Sequence, residues 1–338
     1  MNFLKPLYDE ELNSEGDVEI VGSVFTRSRI LGDLEPQTYN LTFAEWVDER
    51  KANLLMKADE ILDQYDNRSR FEQLKKGIKA GGTIPFVGAG MSLPSGYPGW
   101  TAFLYQLCDE SHVQKEELDK LLAAGDYEQA AQILHNDLGG ALFNENLEAV
   151  FSSEKEIVGV IHYLPKLFPG PTVITTNYDR LLERVYKGKE QGFDVVKYGK
   201  ALSEVVRQMA SGSRMLLKLH GECDQVADRV LLKTEYEEAY ADGAGVSAFF
   251  SRVLFAKSML FLGCSLCADR TIANMVEMVK KHRAETLPRH YAFLELKDSD
   301  DRVARKKELA AANIFPIWYS EGEHDESIEA LLVKLMED

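Results

Sequence analysis

The sequence is short of cysteine, of basic charge and of long apolar runs, and each shortage removes a class of protein. Four cysteines (Cys108, Cys223, Cys264 and Cys267) in 338 residues are too few and too scattered for a disulfide framework, so the chain reads as a product of a reducing compartment. The longest apolar stretch, Ser258 to Ala268, falls well short of the roughly 20 residues that cross a bilayer. The first residues, MNFLKPLYDEELNSEGD, turn acidic without the basic start and apolar core of a secretory signal. A cytoplasmic protein with no membrane partner is expected. Against 55 Asp and Glu stand only 39 Lys and Arg, a net charge of −16, which repels phosphate backbones, so direct nucleic-acid binding is not expected. A hydrophobic content of 45%, with 10% aromatic, is ordinary for a globular chain and excludes wholesale disorder.

The charge is unevenly placed. In the first 50 residues eleven acids face only Lys5, Arg27, Arg29 and Arg50. Residues 1–42 read as an acidic N-terminal arm, ordered rather than a linker because Val18–Phe25 mixes β-branched and polar residues like a strand. From about Thr42 to Lys79 apolar residues at helical spacing (Trp46, Leu54, Ala58, Ile61, Phe71, Leu74, Ile78) predict one or two helices, stopped by Gly81-Gly82. Beyond them short apolar runs alternate with helical stretches. The runs are Thr83–Val87, Thr172–Thr175, Arg214–Leu219, Met259–Leu262, His290–Leu296 and Ile314–Tyr319, with helices starting near Asp179, Cys267, Ser299 and Asp325. Such alternation predicts an α/β fold, a mainly parallel sheet with helices on both faces, in one domain spanning 43–338. Between Gly99 and Phe168 only helical periodicity appears, which predicts an inserted helical subdomain at about 99–168.

Four of the runs end in residues that carry chemistry. Thr83–Val87 leads into Gly88-Ala89-Gly90-Met91-Ser92, a strand running into a Gly-x-Gly turn whose backbone can approach a pyrophosphate and meet it with amide donors. The third glycine of the dehydrogenase fingerprint is missing, which argues against hydride transfer. Val173-Ile174-Thr175-Thr176-Asn177-Tyr178-Asp179 ends in an asparagine that can hold a ribose hydroxyl or a water. Its Asp179 is placed to cap a helix. Leu216–Leu219 ends in His220-Gly221, and a histidine at a strand end is a candidate proton acceptor near neutrality. Leu260–Leu262 ends in Gly263-Cys264-Ser265. The Cys264-x-x-Cys267 pair is half of a four-thiolate zinc site with no second pair to complete it, so no zinc is expected.

In order and spacing these motifs resemble the sirtuin family: Gly88–Ser92, then Gly96-Tyr97-Pro98, Thr175–Asp179, His220-Gly221 and Gly263–Ser265. The resemblance covers about residues 80 to 270. It implies a Rossmann-like domain that binds NAD as substrate and expels nicotinamide from its ribose. It further implies cofactor-binding roles for Gly88, Ala89, Gly90, Ser92, Pro98, Thr176, Asp179, Gly263, Ser265 and Asp269, and catalytic roles for Asn177 and His220. The chain departs from the protein deacylases of that family in two places. No zinc ribbon follows His220-Gly221, and Gly99-Trp100-Thr101 stands where they have Asp-Phe-Arg. In this it is similar to the bacterial sirtuin-like NAD hydrolases of antiphage systems. That likeness implies an NAD+ nucleosidase giving nicotinamide and ADP-ribose, acting as a homo-oligomer with or without a separate HerA-type ATPase. The alternatives are an NAD-dependent deacylase or ADP-ribosyltransferase, and a non-catalytic sensor of NAD or ADP-ribose.

Overall fold

In the computed structural model, described for residues 2–170, 172–199, 202, 205, 212–241, 245–253, 256–267, 270–282 and 284–337, the chain divides into two compact units. One holds residues 1–60 and 329–338, the other residues 61–328. Among the described residues no helix is long and apolar enough to cross a membrane.

In the smaller unit, strands β1 (Val18–Ile20) and β2 (Ser23–Phe25) form an antiparallel hairpin. Val21 and Gly22 make its turn with positive φ at both positions, 51° and 77°, the twist that a two-residue hairpin demands. Helices Lys5–Ser14 and Arg27–Leu34 flank it in sequence and pack on each other, the Ser28 N–H donating to Asn13 Oδ1 at 2.9 Å. A small core gathers Leu4, Tyr8, Tyr39 and Phe43, with Trp46 packed against it. Its polar tips are satisfied: the Tyr8 hydroxyl donates to Thr42 Oγ1 at 2.6 Å and the Tyr39 hydroxyl to Asp9 Oδ1 at 2.7 Å. The helical period from Thr42 onward resolves into Pro36–Leu62 and Asn67–Lys79.

Among the described residues the larger unit is built on seven strands: β3 (Thr83–Val87), β4 (Thr172–Thr175), β5 (Val195–Tyr198), β6 (Met215–Lys218), β7 (Ser258–Leu262), β8 (His290–Leu296) and β9 (Ile314–Ser320). Their order is β5-β6-β4-β3-β7-β8-β9 and every neighbouring pair is parallel. All six apolar runs of the sequence are strands, and the α/β expectation holds. Leaving aside β5, the order β6-β4-β3-β7-β8-β9 is that of the doubly wound Rossmann sheet. The chain starts in mid-sheet at β3, builds outward through β4 to β6, then returns to lay β7 on the other side of β3.

Alternate residues of each strand share one buried cluster. Ile84, Phe86, Ile174, Met215, Leu217, Met259, Phe261, Ala292 and Leu294 pack there with Phe249, Phe250, Ile272, Met275 and Leu309 from helices, as the two-residue period of a strand requires. Pro85 can sit inside central β3 because pairing with β4 begins only at Phe86, so the missing N–H stands outside that ladder. Between β3 and β4 run the helices Trp100–Asp109, Lys115–Ala123, Tyr127–Leu138 and Gly140–Phe151.

One buried group ties two strands together through a titratable atom. His290, 1% exposed at the start of β8, accepts the Met259 N–H of β7 at its Nδ1, 3.1 Å away. Burial pushes its pKa down from 6.5 to about 3. The unfolded chain takes up this proton at the ordinary value, so stability is full above about pH 6.5 and is lost as pH falls toward the folded value, by about 1.4 kcal/mol per pH unit. Denaturant midpoints measured from about pH 7 down to about pH 4 should fall accordingly. The His290→Asn variant keeps an acceptor for Met259 and should show a slope smaller by about one proton.

Candidate active site

Strand register brings the four motifs to one edge of the sheet. Val87 of β3 pairs with Thr175 of β4 and with Leu262 of β7, and Thr175 pairs with Lys218 of β6. Gly88 and Gly263 are the next residues along their chains, and Asn177 and His220 come two residues beyond their register partners. The motifs therefore leave the carboxyl ends of four adjacent parallel strands, around the point where strand order reverses. Open α/β sheets bind their ligands at this place.

The glycines are fixed by how closely two of these loops approach. A Cβ on Gly88 would lie 2.5 Å from the Gly263 carbonyl oxygen and 2.6 Å from the Cys264 sulfur. One on Gly263, where φ is +65°, would lie 2.5 Å from the Met91 nitrogen, and one on Gly90 would lie 2.8 Å from Gly263 Cα. The Gly88 N–H donates to the Leu262 carbonyl at 2.8 Å and the Gly90 N–H to that of Gly263 at 2.9 Å. The Met91 and Ser92 amides turn back onto the carbonyls of Gly88 and Ala89 in short 3-10 turns. Of the loop amides that the sequence offers to a pyrophosphate, that of Ala89 remains outside these bonds.

A buried polar chain joins this loop to the end of β4. The Asn177 Nδ2 group donates to the Gly88 carbonyl and to Ser92 Oγ, each at 3.0 Å. The Ser92 hydroxyl donates to Asp179 Oδ2 at 2.8 Å, and Asp179 Oδ1 accepts the Leu181 N–H at 3.0 Å. A carbonyl can only accept, so the amide orientation of Asn177 is settled. Both its donors are spent inside the protein, which leaves Oδ1 as the atom able to accept a further hydrogen bond. The N-cap of helix Leu181–Lys187 is Arg180, one residue beyond the expected Asp179; Asp179 instead accepts the N–H of the first helical residue, Leu181, and anchors Ser92.

His220 is buried among aromatic rings. The Tyr178 ring lies 6.4 Å away and that of Tyr236 5.2 Å, edge-on. Its Nε2 is 3.3 Å from the Tyr240 hydroxyl and its Nδ1 is 3.4 Å from that of Tyr236. Gly221, at φ +77°, leaves no room for a Cβ, which would meet the Asp228 carbonyl oxygen at 2.8 Å. Sequence motifs do not reveal Tyr236 and Tyr240, because four-residue spacing in an aromatic pair is also the spacing of any helix face.

Two residues before His220, Lys218 is wholly buried. Its ammonium donates to the Asp179 carbonyl at 2.7 Å and pairs with Glu183 and Glu222, each at 3.2 Å. Arg180 joins Glu222 at 3.0 Å and Asp224 at 2.7 Å. Burial holds the Glu183 carboxyl above its ordinary value in spite of Lys218. For Glu222 burial acts the same way, but Lys218 and Arg180 together outweigh it and hold the group low. Beside them, burial and the two carboxylates push Tyr198 of β5 up to about 12. A lysine inside the apolar run Leu216–Leu219 was the available sequence signal for this cluster.

The remaining candidates are less engaged. Thr176 is half-buried and its N–H reaches the Val87 carbonyl at 3.4 Å. Pro98 is half-buried just before helix Trp100–Asp109. Ser265 is exposed, its carbonyl accepting from Arg305 at 3.0 Å. Asp269 lies outside the described residues. Among the described residues no group of three or more His, Cys, Asp or Glu could hold a metal ion.

Residues 171–317 match the SIR2-like domain family. The chain is 25% identical over 237 residues to "NAD(+) hydrolase ThsA" of Cytobacillus dafuensis, an alignment covering 70% of this chain and 45% of that protein. It is 26% identical over 235 residues to the protein of the same name from Enterococcus faecium (68% and 46%). To "Defense-associated sirtuin 2" of Bacillus subtilis it is 26% identical over 235 residues, 67% of this chain and 22% of that protein. The chain thus spans less than half the length of these curated relatives. The sirtuin likeness read from the motifs holds.

Two substitutions test the polar framework. Lys218→Met leaves Glu183 and Glu222 facing each other in the interior and should cost about 3–5 kcal/mol of stability. Ser92→Ala strands Asn177 and Asp179 and should cost about 1–3 kcal/mol. Denaturant midpoints at neutral pH check both values, and Ser92→Thr, which keeps the hydroxyl, should lose less.

Proposed function

We propose that this chain, which carries a SIR2-like domain, binds NAD at the carboxyl ends of β6, β4, β3 and β7 and hydrolyses its nicotinamide–ribose bond, releasing nicotinamide and ADP-ribose. The observation that carries this reading is the meeting of Gly88, Asn177, His220 and Gly263 at the reversal of strand order. The names of the relatives, NAD(+) hydrolases and a defence-associated sirtuin, support it and support a role in depleting NAD during antiphage defence.

Cleavage of this bond passes through an oxocarbenium-like state, as in glycosidases. Nicotinamide is already cationic and leaves without a general acid. What remains is to hold the ribose, stabilise the charge that develops on it and deprotonate water. Asn177 Oδ1 is assigned to the ribose hydroxyl or the water, and its dipole presents negative charge where positive charge grows. His220 takes the proton, directly or through a ribose hydroxyl. The Ala89 amide and the exposed Ser265 lie along the loops assigned to the pyrophosphate and adenosine. An activity that consumes a needed cofactor must be restrained, and we assign that restraint to assembly with further copies of the chain or with a separate ATPase.

The test is incubation with NAD, with and without an acetyl-lysine peptide. ADP-ribose should form without peptide. Asn177→Ala and His220→Ala should each lower turnover about 10²–10⁴-fold, a loss of roughly 3–5 kcal/mol of transition-state stabilisation. Nicotinamide release only in the presence of peptide would overturn the hydrolase reading in favour of a deacylase. NAD bound tightly and never turned over, even in the assembled protein, would replace it with a sensor.

A further inference from the structure

We infer that Tyr240 is a positioning residue for His220, its hydroxyl tying the imidazole Nε2 to Thr271 in the first turn of the helix that follows the Gly263 loop. The Tyr240 oxygen stands 3.3 Å from His220 Nε2 and 3.2 Å from Thr271 Oγ1. Thr271 is fully buried and belongs to helix Arg270–His282, so its position is set by packing. A base must keep one ring nitrogen free of a proton, and the partner of the other nitrogen decides which one that is. With the Tyr240 proton given to Thr271 Oγ1, the phenol oxygen accepts from Nε2–H. The Tyr236 hydroxyl lies between the two nitrogens, 3.4 Å from Nδ1 and 3.5 Å from Nε2, so the shorter Tyr240 contact sets Nε2 as the protonated atom and Nδ1 carries the lone pair.

The same helical turn reaches the helices inserted between β3 and β4. Arg270 pairs with both carboxylate oxygens of Glu128, at 2.5 Å each, and its guanidinium lies 5.7 Å from the centroid of the Tyr236 ring. Tyr236 in turn stacks on Tyr240, with centroids 5.8 Å apart. Among the described residues the groups facing His220 include Tyr178 from the end of β4, Tyr236 and Tyr240 from the helix Lys233–Ala239 and its cap, and beyond Tyr236 the Arg270–Glu128 pair. The turn Arg270–Thr271 holds the base from two sides, and it is attached to both the nucleotide loop and the insertion.

Two readouts test this, and only the second rests on the hydrolase reading. In nitrogen-resolved NMR of labelled imidazoles, His220 should show the Nε2–H tautomer. In Tyr240→Phe, which keeps the stacked ring and removes the acceptor, its titration midpoint should move to lower pH. An unchanged midpoint, or one that moves up, overturns the proposal whether or not the protein turns over NAD. In kinetics, Tyr240→Phe and Thr271→Val should each lower kcat for NAD about tenfold with KM within about twofold, and move the acid limb of the kcat profile to lower pH. The double variant should be no worse than the more damaged single variant, as for two members of one chain. Additive losses, or losses of melting temperature alone, overturn it. A resonance that moves as expected in an assembled protein that never turns over NAD supports the Tyr240 assignment and removes the hydrolase reading.

Discussion

The site depends on one backbone contact, the laying of the β3 loop directly on the β7 loop. The ladder between these strands runs from Thr83↔Ser258 to Val87↔Leu262 and does not stop where the strands do. The Gly88 and Gly90 amides carry it on to Leu262 and Gly263. Only glycine fits at positions 88, 90 and 263, because each Cβ would fall inside 3 Å of the opposing loop. A Gly-x-Gly turn is commonly explained by what it binds. Here it is also explained by what it packs against, and the two explanations are compatible: a loop pinned by its own backbone presents a fixed surface to a ligand. The contact lies where the strand order reverses.

From that contact the rest of the framework follows. Pinning the loop places Ser92 between Asn177 and Asp179, and Lys218 holds the Asp179 carbonyl from the neighbouring strand. Such buried polar networks strengthen one another when every member is satisfied and are costly when one is removed. The asparagine is oriented before any ligand arrives, since both its donors already have partners. Binding then requires little rearrangement of this side chain, and the cost of ordering it is met during folding.

Much of this was legible in the sequence because it rests on period and punctuation. Strands β3, β4, β6, β7, β8 and β9 are apolar runs bounded by polar residues or glycine, buried along most of their length. Strand β5 is half-buried throughout at the sheet's edge, so its apolar signal is weak and it went unseen. Helices Lys5–Ser14 and Arg27–Leu34 were hidden for the same reason: they bury few residues, and their faces are mixed. The motif residues could be found because their spacing follows chain order. Tyr236, Tyr240 and Thr271 could not, because they come together only through packing between helices far apart in sequence.

The same contrast separates the rigid parts of the site from the adjustable ones. Asn177 is held by strands and by a loop fixed to a strand. His220 lies against tyrosines from a short helix, and one of these lies beside an Arg270–Glu128 pair that joins the helix after the Gly263 loop to the helices between β3 and β4. Lys218 and Arg180 are matched by Glu183, Glu222 and Asp224, so these two cations are neutralised within the protein, in a chain of net charge −16. Dipoles act only over short distances and in good alignment. A ligand held by the amides of such a loop therefore depends on the loop's backbone being fixed, as the Gly88 and Gly90 bonds to the β7 loop fix it.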